Sequence, residues 1–101
     1  MTEMQKKMQE LISQEKLDRA FDARFPKEMQ VKLRAAKVAV AGIGGLGSNI
    51  AVMLARSGVG HLLLVDFDVV DVTNLNRQII ATRSTVGQYK VDAAQARIAD
   101  I

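Results

Sequence analysis

A short apolar run ending in a glycine-rich turn governs what this chain can become. Val38-Ala39-Val40-Ala41 sets β-branched residues at alternate positions and leads directly into Gly42-Ile43-Gly44-Gly45-Leu46-Gly47. Four apolar residues closed by glycine are too few for a helix and read as a buried strand. Beyond the turn, Leu46, Ile50, Met53 and Leu54 recur at i, i+4, i+7 and i+8, the apolar face of a helix that Ser57-Gly58 brings to a stop. His61-Leu62-Leu63-Leu64-Val65 is then a continuous apolar run, the pattern of a parallel strand covered on both faces. Strand, helix and strand in this order form a βαβ unit, which crosses over right-handed.

The flanks complete the reading. From Phe67 to Gly87 the periodicity lapses into loop, with one helical turn expected around Asn74 to Arg77. Helix resumes from Gln88 to Ile101, with Val91, Ala94, Ile98 and Ile101 on one face. Before Lys37 the chain is helical and charge-rich. Met4, Met8, Leu11 and Ile12 mark a packing stripe on a helix reaching about Asp22, and Pro26 opens a second helix to about Ala35. The fold class is therefore α/β, a Rossmann-like parallel sheet with flanking helices, preceded by a helical amino-terminal arm. Residues 1–36 form the arm and 37–101 the sheet portion. Two strands make only an incomplete half of a doubly wound domain, so the chain reads as the amino-terminal part of a longer protein.

Composition excludes several chemistries. There is no cysteine and one histidine, His61, which removes thiol nucleophiles, disulfides and a His/Cys metal cluster. No apolar run approaches the roughly 20 residues of a membrane span, and the polar start is no signal peptide, so a cytoplasmic protein is expected. The net charge of +3 resides on residues 1–37, because residues 38–101 carry five basic and five acidic side chains. With aromatic residues at 4%, stacking platforms are scarce, and neither a nucleic-acid nor a membrane partner is expected.

The G-x-G-G-x-G turn, placed between strand and helix, fits a phosphate group. Gly42 permits the tight turn, Gly44 admits close approach to backbone N–H groups, and Gly47 allows helix and strand to pack closely. Asp66, at the end of the second strand, is placed to accept hydrogen bonds from ribose hydroxyls. To this point a dinucleotide and ATP fit equally well. The segment Asn74-Leu75-Asn76-Arg77-Gln78, with Lys90 beyond, favours a triphosphate. Arg77 can fork onto phosphate oxygens, Lys90 supplies a movable charge, and the amides of Asn74 and Gln78 fix orientation.

The run KVAVAGIGGLGSNIAVMLARSGVGHLLLVDFDVVDVTNLNRQ, followed by VGQYK, resembles the ThiF/MoeB/HesA superfamily, the adenylating fold of ubiquitin-activating enzymes. Its GGLGSNIA run and helical arm look most like short bacterial ThiF-type proteins. The resemblance implies an adenylyltransferase that uses ATP and Mg2+ to activate the carboxy-terminal glycine carboxylate of a ubiquitin-like sulfur carrier of the ThiS type in thiamine biosynthesis, releasing pyrophosphate. It also implies a homodimer. Activation of a MoaD-type carrier for molybdopterin synthesis is the nearest sibling. A nicotinamide-dependent oxidoreductase and a non-catalytic carrier-docking or dimerisation module are the alternatives from other classes. Carried across by position, Gly45 would lie against the phosphates beside Gly42, Gly44 and Gly47, and Asp66 would hold the ribose. Asn74 and Arg77 would grip the triphosphate, Gln78 would support that loop, and Lys90 would act near the reacting centre. Arg77 and Lys90 are thus the expected catalytic pair. The family's main magnesium ligand would lie beyond Ile101, and the stretch by itself is not expected to turn over.

Overall fold

The structure is a computed structural model that describes residues 1–101. It divides into two compact units, residues 1–32 and 33–101.

In the first unit, α1 (Glu3–Glu10) starts at a reciprocal cap between Thr2 and Gln5, and α2 (Gln14–Asp22) starts where the Ser13 hydroxyl accepts the Lys16 N–H. Each serves helix-terminal donors that would otherwise have no partner. The single helix expected through to Asp22 is therefore broken at Leu11–Ser13, because Ser13 nucleates a new first turn. The stripe of Met4, Met8, Leu11 and Ile12 is not a packing face here: all four are exposed, and α1 buries no residue. The helix α3 (Lys27–Ala35) follows Pro26 as expected, its residues 27–32 belonging to this unit and 33–35 to the second. Its buried Gln30 donates from Nε2 to Asp22 Oδ1 at 3.0 Å and to the Phe25 carbonyl at 2.9 Å.

In the second unit, β1 (Lys37–Ala41) pairs in parallel with β2 (His61–Val65), in a register running from Lys37 opposite His61 to Ala41 opposite Val65. The crossover helix α4 (Gly45–Arg56) packs on both strands, and α5 (Lys90–Ala99) packs on β2 and α4. Val38, Val40 and Leu64 join Ile43, Ala51, Val70, Ile80, Ala81, Ala93 and Ala94 in one core. The alternate residues Ala39, Ala41, Leu63 and Val65 are exposed. The sheet is thus covered on one face, not the two expected from the continuous apolar run of β2, because α4 and α5 both contribute to that one core.

The buried face of α4 also differs from its apolar stripe. Ser48, Ala51 and Val52 are buried, while Leu46, Ile50 and Met53 are exposed and only Leu54 of the predicted stripe reaches the core. The cause is the contact at Gly47, where a Cβ would lie 1.6 Å from the Gly42 carbonyl oxygen. A helix held that close lays its small residues, not its large ones, against the strand.

The long connection folds back on itself. Val69 and Tyr89 form an antiparallel bridge, flanked by Val70 N–H to Gln88 C=O at 2.8 Å and Gly87 N–H to Val70 C=O at 2.9 Å. This pairing keeps Tyr89 extended and delays α5 to Lys90. The expected helical turn around Asn74 to Arg77 is present, with the Gln78 N–H donating to the Asn74 carbonyl at 2.9 Å, and it is preceded by a 3-10 turn at Val72–Asn74 that Asp71 and Asn74 cap reciprocally. No helix is long and apolar enough to cross a membrane.

Candidate active site

Three segments of the second unit meet beyond the carboxyl ends of β1 and β2. The first is the glycine turn. Gly42 adopts φ +89°, a conformation side chains rarely tolerate, and its N–H extends the strand ladder by donating to Val65 C=O at 2.8 Å. The turn runs into α4 with Gly44 as its cap residue and no side-chain cap. Its first N–H groups are thus left to whatever anion approaches, with the positive end of the helix behind them. The fully buried Ser48 donates its hydroxyl back to the Gly44 carbonyl, fixing the turn from below.

The second segment is the end of β2. Asp66 Oδ2 accepts the Ile43 N–H at 2.7 Å, and Oδ1 accepts the Asp68 N–H at 2.7 Å. Partial burial acts to raise the Asp66 pKa. The two N–H bonds and the nearby Lys90 charge outweigh it and hold the carboxyl below the usual carboxylate range.

The third is the connection from Asp71 to Lys90. Asn74 is buried, and its Oδ1 accepts the Asp71 N–H at 2.8 Å. The Thr73 hydroxyl and N–H lower the Asp71 pKa. Gln78 and Arg77 lie over the glycine turn: a Cβ on Gly44 would sit 3.6 Å from Gln78 Nε2, and one on Gly45 would sit 4.0 Å from the Arg77 carbonyl oxygen. Gln78 is buried with its Oε1 lacking any partner. Arg77 is exposed, and its Nη1 donates to the Thr73 carbonyl and to Asn76 Oδ1, each at 3.0 Å. Lys90, the first residue of α5, is 7% exposed and sets its Nζ 3.9 Å from Asp68 Oδ2.

Gly42, Gly44, Gly45, Asp66, Gln78 and Lys90 thus converge. The Arg77 main chain joins them while its guanidinium is held within its own loop. Asn74 acts first as a loop former, with its side-chain Oδ1 committed to the 3-10 turn, and Gly47 serves helix packing below the turn. Asp68 carried no separate signal beyond its place in Asp66-Phe67-Asp68, since its ion pair with Lys90 spans the whole connection. Gly60 was equally silent in the sequence, although a Cβ there would lie 1.9 Å from the Arg34 carbonyl oxygen.

The residues fit a nucleotide better than a metal ion. Uncapped helix N–H groups, an ammonium on a largely buried side chain and a carboxylate at the strand end match phosphates and a ribose. For magnesium the fit fails: Asp66 is bound to two backbone N–H groups, Asp68 faces Lys90, and no group of three metal-ligating side chains is present.

A parallel strand pair joined by a glycine turn and a crossover helix defines this unit as part of a Rossmann-like α/β protein. The sequence model of the ThiF family matches residues 17–101, and the chain belongs to that family. It is 61% identical over 75 residues to the tRNA threonylcarbamoyladenosine dehydratase of Bacillus subtilis, covering 74% of this chain and 30% of that protein. It is 48% identical over 77 residues to the molybdopterin-synthase adenylyltransferase of Salmonella typhimurium, covering 76% of this chain and 31% of that one. The solved structure of the E. coli tRNA N6-threonylcarbamoyladenosine dehydratase TcdA in complex with ATP superposes with a TM-score of 0.77 at 40% identity, over 80% of this chain and 33% of that chain. The chain therefore spans about a third of the length of these relatives.

Proposed function

We propose that this chain supplies the nucleotide-holding part of an enzyme that adenylylates a carboxylate with ATP. One observation carries the reading. Packing does not require glycine at positions 44 and 45, where an added Cβ would meet neighbours only at 3.6 Å and 4.0 Å. A phosphate drawn against their N–H groups does require it. The TcdA structure solved with ATP supports the same ligand.

In the proposed reaction, Asp66 accepts hydrogen bonds from the ribose. The turn N–H groups and Lys90 hold the phosphates, and Arg77 leaves Thr73 to fork onto the triphosphate. A carboxylate oxygen of the acceptor attacks the α-phosphorus, and pyrophosphate departs with the electrons of the broken P–O bond. Two anions meet in this step, so fixed positive charge and oriented N–H groups lower its barrier. The acyl adenylate then loses AMP to a nucleophile at its carbonyl carbon. Magnesium would screen the triphosphate, with its ligands outside these residues.

The acceptor we favour is the carboxylate of a threonylcarbamoyl group on a tRNA adenosine, on the strength of the 61% identity to the B. subtilis dehydratase. Loss of water from such a group is what activation of its carboxylate followed by internal attack would produce. This choice replaces the expectation of no nucleic-acid partner, which rested on the sparse aromatics and the modest net charge of +3 on these 101 residues alone. A second reading is favoured by the 48% identity to the molybdopterin-synthase adenylyltransferase: the carboxy-terminal glycine of a ubiquitin-like sulfur carrier, of MoaD type or of the ThiS type inferred from sequence. The test is ATP–pyrophosphate exchange by the complete protein, offered threonylcarbamoyl-modified tRNA, unmodified tRNA or a carrier protein. Exchange stimulated only by the modified tRNA supports the first acceptor, and stimulation only by the carrier supports the second. Exchange with neither, together with tight NADH binding, overturns the adenylylation reading.

A further inference from the structure

The Lys90 side chain is largely buried, its ammonium has one carboxylate as its ion-pair partner, and that carboxylate has no part in the scheme above. Asp68 Oδ2 lies 3.9 Å from Lys90 Nζ, with the Lys90 side chain 9% exposed and the Asp68 side chain 76% exposed. A lysine whose stem is packed in the fold has few directions in which to place its charge, and a carboxylate beside it favours one of them. The main chain links the same residues twice more. The Lys90 N–H donates to the Asp68 carbonyl at 2.9 Å, and the Asp68 N–H donates to Asp66 Oδ1 at 2.7 Å. Asp68 therefore stands between the candidate ribose ligand and the candidate phosphate ligand, bonded to each. Its backbone bonds fix where α5 begins. Its side chain is free to do something else.

We infer that Asp68 is a positioning residue: its carboxylate holds the Lys90 ammonium at the crevice above Asp66, in place for the charge that builds at the α-phosphorus. The inference rests on the adenylylation reading and deepens it. At 3.9 Å the pair is a tether without a short hydrogen bond, so Lys90 can shift toward a phosphate while Asp68 limits its excursion. The ground-state triphosphate is also gripped by the turn N–H groups and Arg77. Loss of the tether should therefore appear in the chemical step more than in ATP binding.

The experiment is a double-mutant cycle in the complete protein, read by acceptor-dependent ATP–pyrophosphate exchange and by thermal unfolding. Asp68→Asn keeps both backbone bonds and the shape of the side chain. It should lower kcat about tenfold, change the KM for ATP by less than about twofold, and leave Tm nearly unchanged. Asp68→Glu keeps the charge and should stay within about threefold of the parent. In a Lys90→Ala background, adding Asp68→Asn should alter the rate by less than about twofold, because the residue through which Asp68 acts is gone. Additive losses in that background, full activity of Asp68→Asn, or a Glu variant as poor as the Asn variant each overturn the inference. Absence of exchange in the parent protein with every acceptor instead overturns the adenylylation reading, and this inference with it.

Discussion

Replacing Gly47 by alanine adds one methyl group where the structure has no room for it. The new Cβ would lie 1.6 Å from the Gly42 carbonyl oxygen and 2.7 Å from its carbon. Reaching an ordinary contact near 3.4 Å requires the first turn of α4 and the glycine turn to part by about 1.8 Å. Neither side yields easily. Gly42 is pinned by its N–H bond to Val65 and by the adjoining Ile43 N–H bond to Asp66, while the next turn of α4 buries Ser48, Ala51 and Val52. Overpacking a well-filled site costs about 1–3 kcal/mol, and a backbone clash this deep belongs at the upper end. At about 3 kcal/mol, a domain of roughly 150–250 residues loses about 6–12 °C in Tm. Gly45→Ala is the internal control. Its Cβ meets only the Arg77 carbonyl at 4.0 Å and occupies the first turn of a helix, so the variant should unfold no earlier than the parent. It should nevertheless bind ATP at least about tenfold more weakly if phosphates approach that N–H. Differential scanning fluorimetry and calorimetric ATP titration of both variants decide the matter. A Gly47→Ala Tm within about 1 °C of the parent would refute the packing argument, and unimpaired ATP binding by Gly45→Ala would refute the phosphate argument.

Three further outcomes are expected. Arg77→Ala should cut exchange by about two to three orders of magnitude while leaving Tm within a few degrees, because its guanidinium contacts only Thr73 and Asn76 of its own loop. Asp66→Asn leaves one of two N–H donors facing an amide NH2 and should cost about 1–2 kcal/mol at pH 7 by denaturant titration. The Asp66 pKa is depressed in the fold, so its contribution is complete above the unfolded value of about 3.9 and fades as pH falls through the folded value. The difference between parent and Asn variant should accordingly shrink below about pH 4. Gln78→Met removes a buried amide whose Oε1 has no partner, so stability should hold within about 0.5 kcal/mol. ATP affinity should fall if Gln78 orients the nucleotide.

The sheet portion was legible because its signals are local. A β-branched run before glycine, a spaced helix and a second apolar run each state their own geometry, and the strands lie where they were expected. What failed were inferences from apolar periodicity about burial. Leu46, Ile50 and Met53 form a regular stripe, yet the Gly47 contact turns a smaller face inward. The break at Ser13 depends on one hydroxyl capturing one N–H, a choice that leaves the amphipathic pattern of the arm intact. At the candidate site, residue types at fixed spacing brought Asp66, Gln78 and Lys90 together on paper. The pairing of Lys90 with Asp68 required the fold, since it crosses a connection whose return path is set by the Val69–Tyr89 bridge.

That bridge has a practical consequence. The connection from Val70 to Gln88 is stitched together at its two ends and packs Ile80 and Ala81 into the core between them, while Thr82–Val86 turns at the surface, secured by Thr85 Oγ1 to the Ile80 carbonyl at 2.7 Å. Extra residues spliced beside exposed Arg83 and Ser84 would lengthen that surface turn and leave the Val69–Tyr89 bridge and the Ile80 and Ala81 packing where they are, since loop length enters closure entropy only logarithmically. A fluorescent label or short epitope carried there would report on the molecule without moving Asp66 or Lys90.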